Sequence, residues 1–327
     1  YIKGKILVRK YALIIMLGIL LVIAAACGKE ESASTDEKAA ASEEASADTT
    51  KTITFLDKEY EIPSNSTKIV AASQEAMEDS AVLGVKPVGA VATGGEFPAF
   101  LGDSMSEAEE IGDKFQPSTE KLLQLKPDVI LGTSKFQADV ADSLNKVAPM
   151  IPISHISTHW KDNLLVLAEI TNKTEEAEKY IADYEANVKE TKTAVTEKLG
   201  DKEVLMFRVR NGSITIYPES VYFNPVLYTD LGLTVPEEVK AAKAQEQISL
   251  EKLAEMNPDY LFVQFEDSEN QENKDALKDL ESNAIWKKLN AVKDGHVYEN
   301  VIDPMAAGGT AWSKTNFLAA FKKELGL

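Results

Sequence analysis

Residues 207–212 read FRVRNG, and the two arginines in that stretch are the side chains best spaced to do chemistry. Successive residues of a β-strand point to opposite faces, so Arg208 and Arg210 project together while Phe207 and Val209 face the other way. Two cations side by side repel unless an anion lies between them. The spacing therefore suggests an anion site at a strand end, closed by a turn at Asn211-Gly212. The plainer alternative is a solvated strand end carrying two surface arginines.

Other chemistries find little support. The chain has no G-x-S-x-G elbow, no HExxH helix and a single cysteine, Cys27, so nothing in it reads as an enzyme's nucleophile or zinc helix. A receptor for a bare zinc or manganese ion needs three or four His or carboxylate ligands, and only His155, His159 and His296 exist. The first two lie in HISTHW, after a Met-Ile-Pro-Ile-Ser run that reads as strand leading into loop, and His296 heads HVYEN at a turn exit. Haem would take a His and a Met from opposite sides, and no such pair stands out. Gly94-Gly95 and Gly308-Gly309 are isolated pairs that serve as turns rather than phosphate loops.

Charge narrows the choice further. With 35 Lys and Arg against 53 Asp and Glu, the chain carries −18, which argues against a nucleic-acid partner and makes any cluster of cations informative. Four of the cations, Lys3, Lys5, Arg9 and Lys10, precede an apolar run from Tyr11 to Ala26. That run falls short of the roughly 20 residues of a membrane span and ends in small residues, as a secretory signal does. Cys27 after Ala24-Ala25-Ala26 resembles a bacterial lipobox, in which the cysteine becomes the lipidated first residue of the mature protein, although Ala24 replaces the usual leucine. Removal of the signal would take the charge from −18 to −22. Residues 28–51 are almost wholly Glu, Asp, Lys, Ala, Ser and Thr, a composition that cannot offset the entropy of ordering. They read as a flexible tether from an anchor of more than one acyl chain. With no second cysteine there is no internal disulfide, so core packing must supply stability.

The elements that must hold the arginines are announced by a repeat. STEKLLQLKPDVIL at 118–131 and SLEKLAEMNPDYLF at 249–262 match at a constant offset of 131. Each offers a serine N-cap, a glutamate in the first turn, an apolar stripe, then Pro-Asp and a β-rich run. Two copies this far apart imply two related α/β lobes rather than a solenoid. Strand-like runs at 69–72, 88–91, 129–131, 204–209, 214–216, 260–263 and 296–298 alternate with helical periodicity, which predicts open parallel sheets with helices on their faces. A long helix is expected from an N-cap at Thr174 to a stop at Gly200, with Ala177, Ile181, Tyr184, Val188 and Val195 on one face. At about 1.5 Å per residue it would be nearly 40 Å long, a stiff strut between lobes. The expected organisation is a signal at 1–26, lipidated Cys27 and tether to 51, a first lobe at 52–160, connecting helices at 161–200 and a second lobe at 201–327.

Taken together and in order, the lipobox, the acidic tether, the two lobes on one strut, GVKPVGA at 84–90, EKLLQLKPDVIL at 120–131 and LYTDLGL at 227–233 resemble the substrate-binding proteins of ferric-siderophore and cobalamin ABC importers. The resemblance covers essentially everything after Thr52. It implies the class III periplasmic-binding-protein fold, two Rossmann-like lobes joined by a single long helix. The cationic positions are similar to those of the members that bind bacillibactin and related triscatecholates. On that resemblance Lys114, in GDKFQPS, and Lys135, in GTSKF, join Arg208, Arg210, Asn211, Lys243 and Gln245 as the ligand-binding set. Lys135 also directly follows a strand, and open α/β sheets bind ligands beyond the carboxyl ends of their strands. Without the resemblance each lysine would read as a solvated surface charge.

A triscatecholate fills every coordination position on Fe(III) and leaves a triply negative complex, so such a receptor supplies neither a metal ligand nor a cofactor. It supplies compensating charge. One cation about 4 Å from a negative charge is worth roughly 4 kcal/mol at an effective dielectric of about 20, before desolvation removes much of it. Several converging cations can thus decide affinity, and arginine adds a planar fork that stacks on rings.

Glu120 and Glu251 occupy matched places in the repeat. In the resembled family those positions form salt bridges with arginines of the two permease subunits; the alternative is a carboxylate stabilised only by its own helix dipole. The resemblance further implies a monomer on the extracytoplasmic face of a Gram-positive membrane, an ABC permease with a cytoplasmic ATPase as partners, and a modest movement on binding because the strut is stiff. A ferric hydroxamate, ferric citrate or haem receptor is the alternative in cargo. A surface adhesin or a ligand sensor is the alternative in class.

Overall fold

The computed structural model describes residues 49–327; the signal, Cys27 and the tether up to residue 48 lie outside them. Thr50 and Lys51, expected in the tether, already belong to the first strand. That strand, β1 (Thr50–Phe55), pairs antiparallel with β2 (Lys58–Pro63). Leu56 and Asp57 between them both have positive φ, the two-residue turn whose twist suits a hairpin. Ile53, Phe55 and Ile62 form its buried side.

The first lobe is built on a six-stranded sheet in the order β6-β5-β4-β3-β7-β8. Its strands are β3 (Ile69–Ala71), β4 (Gly89–Ala92), β5 (Glu109–Asp113), β6 (Gln116–Pro117), β7 (Val129–Thr133) and β8 (Met150–Ile153). All neighbours are parallel except β5 and β6. Helices α1 (Gln74–Leu83), α2 (Thr119–Leu125), α3 (Ala138–Asn145) and α4 (Trp160–Thr171) accompany it.

Helix α5 (Thr174–Leu199) follows and ends at Gly200 as expected, at φ 55°. Its start differs by one position. Thr174 is the first helical residue and the cap is Lys173, which makes no capping hydrogen bond, because α4 stops at left-handed Asn172 and leaves no room for a longer entry. Thr191 completes the buried stripe between Val188 and Val195, its hydroxyl satisfied by the Asn187 carbonyl. Among the described residues no helix is long and apolar enough to cross a membrane.

The second lobe departs from the expected parallel sheet. Its order is β11-β10-β9-β12-β13, with β9 (Val204–Arg210), β10 (Ser213–Ile216), β11 (Glu246–Ile248), β12 (Tyr260–Phe265) and β13 (Val297–Glu299). Strands β9, β12 and β13 are parallel, whereas β10 and β11 add an antiparallel edge. The cause is local: Asn211 and Gly212 both have positive φ and turn the chain back within two residues, too few for a parallel crossover. His296 precedes β13 rather than opening it. Helices α6 (Glu237–Ala241), α7 (Leu250–Met256), α8 (Ala276–Ser282), α9 (Asn290–Lys293) and α10 (Ala311–Leu325) complete the chain.

The repeat is a folding device in both lobes. Ser118 and Ser249 accept hydrogen bonds from the backbone of Lys121 and Lys252, and the helices end in left-handed Lys126 and Asn257. The aspartates that follow bind backward onto the neighbouring strand's start: Asp128 accepts from Thr67 and Lys68 at 2.7 and 2.8 Å, and Asp259 from Glu203 at 3.0 Å. Each copy thereby caps a helix and pins the next strand to its neighbour.

The last helix packs on elements of both lobes. α10 packs against α1, α4 and α5, while its Phe317 packs tilted against Phe223 and its Phe321 stacks on Phe262 of the second lobe. Glu78 of α1, fully buried, accepts hydrogen bonds from Ala307 N at 2.7 Å and from the hydroxyls of Thr310 and Ser313 at 2.5 Å. Ser157 donates to the carbonyls of Ser220 and Tyr222. Gly309 sits at this crossing, where a Cβ would stand 2.7 Å from Ser157 Cα. The pair Gly308-Gly309 is therefore a close approach between lobes as well as a turn.

Candidate functional site

The lobes face one another across a cleft of ≈ 310 Å³. Four first-lobe segments reach it: the start of α1, the β5–β6 turn with Lys114 and Phe115, the end of β7 with Thr133 and Lys135, and His155 after β8. From the second lobe come Arg208 and Arg210 on β9, Gln245 before β11, Tyr217 and Tyr222 after β10, and Glu269 after β12. Lys114, Lys135, Arg208, Arg210 and Gln245, drawn from both lobes, thus line one space. Two expected residues do not line it. Asn211 occupies the hairpin tip, where its positive φ serves the turn, and Lys243 lies exposed on the irregular segment between α6 and β11 with its backbone N–H on Glu246.

The anion between the two arginines is supplied by the protein itself. Glu269 Oε2 lies 2.5 Å from Arg208 Nη2 and Oε1 lies 3.1 Å from Arg210 Nη2. Arg208, only 9% exposed, also rests over the Tyr222 ring at 5.2 Å, a cation–π contact strengthened by burial. Tyr222 has φ 60°, a strained conformation for an aromatic residue, and its ring packs tilted against Tyr217 at 5.0 Å. Arg210 gives Nη1 to Gln245 and leaves its buried Nε without a hydrogen-bond partner.

In the first lobe Glu75 plays a parallel part. It is 7% exposed and 3.8 Å from Lys135; burial pushes its carboxyl up, against the pull of Lys135. Burial lowers Lys114, which feels Glu269 raising it and Arg210 and Arg208 lowering it across the cleft. His155 also lines the cleft, bonded to Ser134 at 2.8 Å, and is held down by burial and then by Lys135. His159 pairs with Ser154, and His296 stacks on Tyr260. Among the described residues no three His, Cys, Asp or Glu side chains converge as a metal site. The cleft is chemically an anion receptor with aromatic walls.

Sequence reasoning missed Glu269, Glu75, His155 and the tyrosines. Glu269 lies in EDSENQENKD, which reads as a solvated acidic loop. Glu75, Glu78 and Asp79 did carry a signal, since their spacing puts three carboxylates on one helix face. Glu120 and Glu251 lie on the exposed first turns of α2 and α7, and neither makes an ion pair among the described residues.

A family model described as a periplasmic binding protein matches residues 69–300. The iron-uptake system-binding protein of Bacillus subtilis (strain 168) is 52% identical over 281 residues, spanning 86% of this chain and 89% of that protein. A protein of the same organism described as a probable siderophore-binding lipoprotein, YfiY, is 33% identical over 251 residues, 73% of this chain and 76% of its own. Among solved structures, the triscatecholate siderophore binding protein FeuA of B. subtilis, complexed with ferri-bacillibactin, is 53% identical with a TM-score of 0.80, covering 84% of this chain and 98% of that one.

Proposed function

The chain belongs to the periplasmic binding protein family, and from that premise we propose that it is the extracytoplasmic receptor of an iron-siderophore ABC importer, binding a ferric triscatecholate in the interlobe cleft. One observation carries the choice of cargo: a protein of net charge −18 gathers Lys114, Lys135, Arg208 and Arg210 from both lobes onto one cleft. A neutral complex has no need of that set. Arg208 and Arg210 compensate charge and offer planar donors to catecholate oxygens, the Tyr222 ring backs the Arg208 guanidinium, and Gln245 steadies Arg210. Lys243, two residues before Gln245 in sequence, and Asn211, next to Arg210 at the hairpin tip, complete the proposed ligand-binding set beside them. Iron stays with its chelator, so the protein needs no cofactor of its own.

The same reading anchors the protein through lipidated Cys27 and engages the two permease subunits through Glu120 and Glu251. The likeness to a siderophore-binding lipoprotein supports the anchor. The matched exposure of the two glutamates, at the same point of both repeats, supports the docking. Titration of intrinsic tryptophan fluorescence against ferric bacillibactin, ferric enterobactin, ferrioxamine and ferric citrate tests the cargo. The two catecholates should quench it saturably and far below the concentrations the others require; preference for neutral ferrioxamine would reject the reading.

A further inference from the structure

Glu269 stands where an anionic ligand would be expected to stand. It grips both arginines, at 2.5 and 3.1 Å, with its side chain only 12% exposed. The loop that carries it is built in place by other bonds. Asn270, 1% exposed, donates to the carbonyls of Val209 and Glu266 at 2.9 Å and accepts from Gly212 N at 3.0 Å. The Glu269 carbonyl accepts from Asn211 N at 3.1 Å. This carboxylate is therefore not a wandering surface charge that happened upon two cations, and its backbone does not depend on the pairing. Arg210, meanwhile, keeps a buried Nε with no partner, a donor the resident carboxylate does not use.

We propose that Glu269 is a resident counter-anion that competes with the incoming ligand for Arg208 and Arg210, and so sets both the charge a ligand must carry and the speed with which it leaves. The inference rests on the reading of the cleft as a ferric-siderophore site. Before binding, Glu269 relieves the repulsion of two arginines on one strand face and keeps them converged. An arriving anion must share those arginines with a carboxylate of its own sign, which a weakly charged complex does poorly and a triply charged one does well. On departure the carboxylate takes both cations back, so release does not leave a buried charge uncompensated. A receptor that must surrender its cargo gains from such a competitor.

The test is Glu269→Gln, which preserves shape and removes charge, compared with Glu269→Asp, which keeps the charge on a shorter arm. Affinity and dissociation rate are measured by fluorescence titration and stopped flow for ferric enterobactin, ferric citrate and neutral ferrioxamine. Glu269→Gln should tighten binding of the anionic complexes about tenfold, mainly by slower dissociation, and leave ferrioxamine unchanged. Glu269→Asp should stay within about threefold of wild type. Weaker anion binding in Glu269→Gln, or an equal change for anionic and neutral complexes, would overturn the proposal and leave Glu269 as a mere support for the arginines. If wild type takes ferric citrate and ignores ferric enterobactin, the triscatecholate reading fails, while the same comparison on citrate still decides the role of Glu269.

Discussion

At the residue scale the cleft is a problem in pairing charges that an acidic protein has bothered to collect. Arg208 is nearly buried and committed to Glu269 and Tyr222, whereas Arg210 is the more exposed and retains an unused donor. Arg210→Met should therefore weaken binding of a ferric triscatecholate by about 2 kcal/mol, near thirtyfold, with a shallower salt dependence in the same titration. Away from the cleft, Asp79 is 1% exposed, uses one oxygen on Ala311 N at 3.3 Å and leaves the other without a partner. Burial, reinforced by Glu78 and Glu75, holds its carboxyl well above the ordinary range. The folded state thus keeps a proton that the unfolded chain releases. The stability this gives is complete below the ordinary aspartate pKa and is lost as pH rises through the folded one, at about 1.4 kcal/mol per pH unit. Asp79→Asn removes that loss, so urea denaturation should show little difference from wild type near pH 4 and a gain that grows toward pH 7. The arginine pair was legible from strand alternation alone; its counter-anion was not, because 61 positions separate Arg208 from Glu269 and no local periodicity joins them.

At the scale of elements, local grammar was readable wherever the satisfying partner is near in sequence. Serine caps, left-handed helix stops and the Asn-Gly hairpin follow from what the backbone needs within one turn of itself. The antiparallel β10–β11 edge was hidden because β11 is only three residues long and polar. The role of α10 was hidden because its N-terminal partners, Glu78 and Asp79, lie more than 200 residues earlier. Glu78→Ala should cost about 3 kcal/mol by orphaning buried donors at the α10 start; the check is urea unfolding together with hydrogen exchange, in which amides of residues 307–313 lose protection first.

At the scale of the whole molecule, the 26-residue α5, the crossing at Gly309 and the return of α10 onto the first lobe tie the lobes at three places. Wide hinge opening would have to break the Glu78 bonds and the Ser157 bonds at once. Small-angle scattering with and without a ferric triscatecholate should show a change in radius of gyration below about 1 Å, where a freely hinged pair of lobes would give more. The repeat also sets matched carboxylates on both lobes. Reversing both, Glu120→Arg with Glu251→Arg, should abolish iron uptake by cells while ligand affinity stays within about twofold; a loss of affinity would assign the glutamates to folding instead.

What the sequence determined by itself was the set of parts: two α/β lobes, a strut, capped helices announcing each repeat, and two arginines facing the same way. These depend on contacts within a few residues, which periodicity and caps encode directly. Only the tertiary structure decided which cations meet, that Glu269 and Glu75 meet them, and that α10 belongs to both lobes. Those facts arise from packing between segments far apart in the chain, where a carboxylate in an acidic loop and one in a charged cleft look the same until the fold brings a cation to one of them.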